Sequence, residues 1–176
     1  MQSSNVQTIL GQFNNTIRQW IGFLDDYSLE QLSIQPQPAS WSLGQVYIHL
    51  LNETGYYIEQ MKVATATNAN SEKQMHRDGL AMFQNNSFPD MQLEGPATNT
   101  YIPQPDDKEV LRQQLLSLQN EVNNIFAVTT TTISTGKTEH PGLGFFTSLQ
   151  WLQFAEMHMR HHLRQKNNID KQLHFL

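Results

Sequence analysis

The sequence contains no cysteine, which excludes disulfides, thiolate nucleophiles and cysteine-ligated zinc. Positive charge is also scarce: 11 Lys and Arg residues stand against 16 Asp and Glu residues, and the formal net charge is −5. Nucleic-acid-binding domains usually carry a basic surface, so this balance argues against binding to DNA or RNA. A metal site in this chain must use histidine, carboxylate or amide ligands, and thiol chemistry needs a thiol brought by a substrate.

Long apolar runs are missing as well. No stretch approaches the roughly 18 consecutive apolar residues of a transmembrane helix. The first five residues, Met-Gln-Ser-Ser-Asn, lack the basic and apolar regions of a signal peptide. We therefore expect a soluble cytoplasmic protein without membrane association. Its 176 residues suit one domain with a substantial core.

Apolar residues recur at three- and four-residue steps in four segments, the spacing that keeps one face of a helix apolar. The predicted helices are residues 6–24, about 43–66, from 106 or 107 to the threonine run at 129–132, and about 148–168. Four amphipathic helices in one chain must bury their apolar faces against one another, so the sequence predicts an all-α four-helix bundle. No alternation is strong enough to predict a β-strand.

The connection between the second and third helices, residues 67–106, is long and irregular. It holds four prolines together with Asn, Ser and Gly residues. A short helix near 72–83 is predicted, and apolar residues such as Phe83, Phe88, Met91 and Leu93 indicate that the segment packs onto the bundle. Loops of this length in a compact domain are often functional.

Histidines form the clearest chemical pattern. His158 and His162 are four residues apart on the fourth helix, about 40° apart around its axis, so both imidazoles project from one face. His161 points elsewhere, about 100° from His162. His49 lies beside the apolar stripe of the second helix and supplies a third candidate ligand. Such flanking positions on neighbouring helices predict a groove at the bundle surface. An ion bound there would keep one coordination position open to solvent.

Three neutral imidazoles with one open position are the usual form of a catalytic zinc site, whereas structural zinc sites are closed by four protein ligands. Nickel, cobalt, iron and manganese suit the same ligands. Gln45 and Gln165 are candidates to orient the imidazoles, and His161 is a further candidate to support the site. Glu53 and Tyr56 lie on the same side of the second helix as His49, where they would assist proton transfer.

Less specific interpretations of these residues stay open. A single pair of histidines four residues apart is a weak signal, and His49 alone also fits a partly buried, hydrogen-bonded histidine. Trp41 and Trp151 fit packing residues. On these interpretations the chain is a non-catalytic metal-binding protein, a dimeric interaction protein, or a helical bundle that binds no metal.

Two segments resemble a known family. Residues 41–50, Trp-Ser-Leu-Gly-Gln-Val-Tyr-Ile-His-Leu, resemble the W-S-x-x-Q-v-x-x-H-l segment of the DinB-like superfamily. His140-Pro141 through Gly144, with Thr147, Trp151 and residues 158–165, look like its closing motif. More narrowly, the chain is similar to uncharacterised bacterial members of this DinB/YfiT-like group whose last helix reads H-x-x-H-H-x-x-Q.

The resemblance implies a helical bundle of up-up-down-down type that holds one divalent metal ion through His49, His158 and His162. Zinc or nickel is favoured, with iron, manganese or cobalt as alternatives. Characterised relatives include metal-dependent bacillithiol and mycothiol S-transferases and a maleylpyruvate isomerase that uses mycothiol, and homodimers are common. We therefore expect a metal-dependent thiol S-transferase or hydrolase that acts on a small-molecule thiol as a homodimer, with no nucleic-acid partner.

Overall fold

The structure, a computed structural model, describes residues 2–89, 101–128 and 134–174. In chain order its elements are α1 (Gln2–Phe23), a 3-10 turn (Leu24–Asp26), α2 (Leu29–Ser33), α3 (Leu43–Thr65), α4 (Arg77–Asn85), α5 (Lys108–Val128), β1 (Lys137–His140), β2 (Gly144–Thr147) and α6 (Ser148–Leu173). The long helices α1, α3, α5 and α6 confirm the predicted all-α fold. None of the helices in these ranges combines the length and the apolarity needed to cross a membrane.

The bundle core lies between the four long helices, and α1 and α3 each pack against both α5 and α6. At its centre the rings of Trp20 and Tyr47 meet edge to face, with centroids 5.2 Å apart. The Tyr47 hydroxyl donates to the Trp20 carbonyl oxygen, and the Trp20 indole N–H donates to the Met159 carbonyl oxygen. Large buried aromatic rings whose polar atoms are all paired supply apolar contact area and also fix the relative positions of α1, α3 and α6.

Three helices begin with the same arrangement. A Ser or Thr hydroxyl accepts a hydrogen bond from the backbone N–H three residues later, where a Gln side chain accepts from the N–H of the cap residue. The three cap residues are Ser28, Ser42 and Thr147. These capping boxes satisfy N–H groups that have no partner within a helix. The boxes at Ser42 and Thr147 fix where α3 and α6 begin, and these are the helices that carry the candidate metal ligands.

A short β-hairpin precedes α6, in a segment where no alternation is strong enough to predict a strand. β1 pairs with β2 in antiparallel register, and the turn uses Gly142 at φ 90° and Gly144 at φ 85°. Each strand has only four residues, which is too short for an alternation of apolar and polar residues to be recognised in the sequence. The hairpin is held on α6 because the Trp151 indole N–H donates to Thr138 and the His140 ring stacks on the Trp151 ring, 5.5 Å between centroids.

Three helices differ in extent from the prediction, and the first of them, α1, begins at Gln2 and not at residue 6. α6 continues to Leu173, well past residue 168, because the polar sequence near its end is partly buried: Lys166 pairs with Asp170, and Asp170 accepts a hydrogen bond from the Tyr27 hydroxyl. α4 spans Arg77–Asn85 and not 72–83, since Met75 forms a β-bridge with Gly144 ahead of it. Met91, Leu93 and the threonine run at 129–132 lie outside the described residues.

The first turn of α3 approaches the rest of the chain so closely that only glycine fits there. A Cβ on Gly44 would lie 2.7 Å from the ring of Pro105 and 2.9 Å from the Leu32 carbonyl oxygen. We expect Gly44→Ala to lower the free energy of unfolding by about 1–3 kcal/mol, since backbone must move to admit the methyl group. Denaturant unfolding monitored by circular dichroism measures the change.

Gly55 on the same helix is the matched control, because a Cβ there meets nothing within 4 Å. Gly55→Ala is expected to raise stability by up to about 1 kcal/mol, the usual gain for replacing glycine in a helix. Equal effects of the two substitutions would contradict the close approach at Gly44.

Candidate metal centre

Three histidine side chains from two adjacent helices meet at one point. The Nε2 atom of His158 lies 3.2 Å from Nε2 of His49 on α3 and 3.1 Å from Nε2 of His162 on α6. One ligand atom from each of the three rings lies within 4.8 Å of the others. The spacing of four residues places the two α6 rings one turn apart, and the packing of α3 against α6 brings the third ring to them.

The two distances from His158 are close to those expected around a shared ion. Zinc–imidazole bonds are about 2.0–2.1 Å long, so two nitrogens bound to one tetrahedral ion lie roughly 3.3–3.4 Å apart. Without an ion, the three nitrogens cannot all be paired with one another by hydrogen bonds, because a neutral imidazole carries only one proton for its two nitrogens. The donor set is therefore the one that a borderline metal such as zinc or nickel prefers.

The three rings are held in their neutral form. They are almost fully buried, with 6% of His49, 7% of His158 and 9% of His162 exposed. Burial lowers the pKa of His49 to about 3, with a smaller contribution from His162, and lowers the pKa of His162 to about 4. Burial also lowers the pKa of His158 well below its ordinary value, assisted by its two neighbours. Neutral imidazole is the form that binds metal.

Gln165 fixes the orientation of one ring. Its Oε1 atom lies 2.8 Å from Nδ1 of His162, so Nδ1 carries the proton and the lone pair of Nε2 points toward the other histidines. A metal-binding histidine normally donates its second N–H to such an acceptor. Nδ1 of His158 is buried and has no hydrogen-bond partner among the described residues, so that ring is positioned by packing.

Comparison with protein families agrees with this geometry. The model of the DinB superfamily matches residues 12–165, which covers both histidine-bearing helices. The chain belongs to the DinB superfamily. No match was found among curated proteins or among solved structures. Membership in the DinB superfamily supports metal binding at the three histidines, and it leaves the metal and the reaction unassigned.

The surroundings of this DinB-superfamily site differ in one respect from the prediction. The histidines are buried and do not line an open surface groove, because two rings from loops cover them. Trp41 lies against His49, 5.0 Å between ring centroids, and Phe88 lies against His158 and His161 at 5.7 and 5.2 Å. Helical periodicity places side chains on a helix face, and it carries no information on which loop folds over that face.

Glu53 and two tyrosines continue the site along α3. Glu53 follows His49 by one helical turn and is half-buried, and its Oε2 atom accepts a hydrogen bond from the Tyr57 hydroxyl at 3.1 Å. The buried Tyr57 ring also meets His158 edge-on, at 5.7 Å between centroids. Tyr56 is 41% exposed and contacts Trp151. Tyr57 falls on the apolar stripe of the helix, so periodicity assigns it to the core and misses its contact with the site.

The remaining predicted residues have other partners. Gln45 has other hydrogen-bond partners among the described residues: its amide oxygen accepts from the Ser42 N–H and its amide nitrogen donates to the Ile102 carbonyl oxygen. The amide oxygen and the amide nitrogen of Gln45 are therefore both hydrogen-bonded, one to the start of α3 and the other to a loop. His161 is partly buried between Phe88 and Arg164, outside the group of converging nitrogens.

The contact between Gln165 and His162 leads to a testable expectation. Gln165→Leu removes the acceptor for Nδ1, and we expect metal affinity to fall by about 10- to 100-fold. Gln165→Glu keeps an acceptor oxygen at the same place and is expected to retain nearly the full affinity. Competition with a chromophoric chelator measures both constants. Equal affinities of the Leu variant and the unmodified protein would show that Gln165 does not support the site.

Proposed function

We propose that this chain is a metal-dependent enzyme that binds one divalent ion, zinc or nickel, through His49, His158 and His162. Its reaction is S-transfer to or from a small-molecule thiol, or hydrolysis. The observation that carries the proposal is the convergence of three buried imidazoles, with Nε2 of His158 at 3.2 and 3.1 Å from Nε2 of His49 and His162 and all three ligand atoms within 4.8 Å of one another. Because the chain has no cysteine, the thiol comes from the substrate. We further propose that it acts as a cytoplasmic homodimer, as the family resemblance implies.

Each residue of the site has a defined part in this proposal. The three imidazoles hold the ion, and Gln165 keeps His162 in the tautomer that exposes Nε2. When bound, a divalent ion supplies Lewis-acid chemistry, polarising an oxygen or sulfur atom of the substrate. Glu53 takes up the proton of the thiol or water that enters the site, and Tyr57 holds the Glu53 carboxylate in place through its hydroxyl.

Turnover of thiols with electrophiles tests this function. Metal-loaded protein is incubated with a panel of low-molecular-weight thiols and electrophilic acceptors, and with ester and amide substrates. We expect saturable turnover that is lost on chelation and in the double variant His49→Ala with His162→Ala. His76→Ala is the control because His76 is exposed and lies outside the converging group. Unchanged activity in the double variant would rule out the proposed site.

A second candidate is a non-catalytic metal-binding protein, and the low exposure of the histidines favours it. A site covered by Trp41 and Phe88 restricts the approach of a substrate. This alternative predicts that the ion raises the melting temperature while no substrate of the panel is turned over. Saturable, metal-dependent turnover would exclude it.

A further inference from the structure

Asn86, at the start of the loop that follows α4, is hydrogen-bonded to two side chains of α6. Asn86 ends α4 in the left-handed conformation, at φ 46° and ψ 42°. Its carbonyl oxygen accepts a hydrogen bond from Nη2 of Arg160 at 2.9 Å. Its side-chain oxygen accepts from the Gln153 amide at 3.0 Å. Both the backbone and the side chain of Asn86 are thus held by α6.

Arg160 is itself held by a buried carboxylate. Its Nε and Nη2 atoms donate to the two oxygens of Glu156, each at 2.9 Å, and Glu156 is only 4% exposed. The Thr16 hydroxyl on α1 donates to the same carboxylate at 3.0 Å. A bidentate ion pair with a buried carboxylate restricts the orientation of the guanidinium far more than an ion pair between two exposed side chains does. The direction in which Arg160 presents its free N–H to Asn86 is therefore fixed.

Phe88 follows two residues after this attachment and forms the cover of the histidines on α6. Its ring packs on Phe154, 5.1 Å between centroids, and on His158 and His161. Asn86 also borders a cleft of about 300 Å³ between α1 and α6. The hydrogen bonds from Arg160 and Gln153 hold Asn86 at the edge of this cleft.

We propose that Arg160 and Gln153 are positioning residues of the metal centre, which hold Asn86 and thereby keep Phe88 over His158. Opening of this cover sets the rate at which the metal ion enters and leaves. The inference rests on the proposed metal site for the exchange of the ion, while the cover over His158 is a property of the protein itself. Local openings of this kind cost less free energy than global unfolding when few contacts hold the segment.

The test measures two rates, histidine modification and metal release, in variants that change either Phe88 or the hydrogen bonds that hold Asn86. In metal-free protein, the rate of His158 modification by diethyl pyrocarbonate is followed by peptide mass spectrometry. In protein loaded with cobalt or zinc, the rate of transfer to excess chelator is measured. Phe88→Ala removes the cover, and the pair Glu156→Leu with Arg160→Met removes the attachment. Because both charges are removed together, neither the buried carboxylate nor the guanidinium is left without its partner, so this double variant is expected to fold.

We expect both changes to raise both rates by about tenfold or more. Gln153→Leu breaks only the hydrogen bond to the Asn86 side chain and is expected to raise both rates a few-fold. It replaces the Glu156 and Arg160 double variant in the test if that variant does not fold. Thr16→Val is the matched control: it touches the same carboxylate without touching Asn86, and its rates should stay within about twofold. Combining Phe88→Ala with the attachment variant should be no faster than Phe88→Ala alone, because the attachment acts through Phe88.

Two results would overturn the inference. One is an unchanged rate of His158 modification in the attachment variants. The other is a fully additive increase when they are combined with Phe88→Ala, which would indicate general loosening of the bundle. Absence of metal binding in the unmodified protein would refute the proposed function, and the modification rate of His158 would still decide whether the cover exists.

Discussion

Replacing both His49 and His162 with alanine is expected to abolish the stoichiometric binding of one divalent ion that we propose for the unmodified chain. The expectation follows from the geometry, because the variant leaves a single imidazole, that of His158, at the point where three converge. Loss of a residue that merely orients a ligand already costs about 10- to 100-fold in affinity, so loss of two ligands should exceed that range. Equilibrium dialysis followed by elemental analysis measures the bound metal.

His161→Ala provides the control for this experiment. His161 neighbours His162 in sequence, but its ring contacts Phe88 and Arg164 and lies outside the converging group. Its variant should retain one ion per chain with little loss of affinity. If the His161 variant loses the metal and the His49 and His162 variant keeps it, the assignment of the ligands is wrong.

Acid should unfold the metal-free protein through the same histidines. Their pKa values are lowered in the folded state, to about 3 for His49 and about 4 for His162. Below the ordinary value of about 6.5, the unfolded chain binds protons that the folded chain excludes, so stability falls as the pH drops from about 6.5 towards 4. At pH 4.5, two pH units below that value, each ring costs up to ~2.7 kcal/mol, and two such losses rival the whole stability of many domains.

Denaturant unfolding of the metal-free protein between pH 7.5 and 4.5 measures this effect. His49→Gln with His162→Gln removes two of the three buried imidazoles with lowered pKa values and should make the loss of stability below about pH 6.5 clearly shallower, with His158 accounting for part of what is left. The matched control, His76→Gln with His174→Gln, removes two exposed histidines and should keep the steep loss of stability. Identical pH profiles for the two double variants would contradict the account of buried, neutral imidazoles.

The sequence predicts the bundle because each long helix carries its own periodic signal. The apolar stripes of α1, α3, α5 and α6 need burial, and the predicted starts of α3 and α6 agree with the structure, which has capping boxes at Ser42 and Thr147. The pairing of His158 with His162 follows from helix geometry alone. The place of His49 beside them depends on how α3 packs on α6, which in the sequence is supported only by the resemblance to the DinB-like superfamily.

The parts that sequence patterns miss arise from contacts between distant segments. Trp41 and Phe88 reach the histidines from loops, whose path is not encoded in any periodicity. Gln45 lies on the side of α3 that suggests a role at the site, but the helix start and Ile102 take up both ends of its amide. The hairpin before α6 has only four residues in each strand, and its pairing is stabilised by packing on Trp151.

X-ray absorption spectroscopy of the protein loaded with zinc tests the central claim most directly. Protein purified without a histidine tag and loaded with one equivalent of zinc should show three imidazole nitrogens at about 2.0–2.1 Å from the ion. That result is the one expected if His49, His158 and His162 surround a single ion, and the same spectrum of the His49→Ala, His162→Ala variant should lose these nitrogens. A first shell dominated by carboxylate oxygens, or one with a single imidazole, would contradict the account.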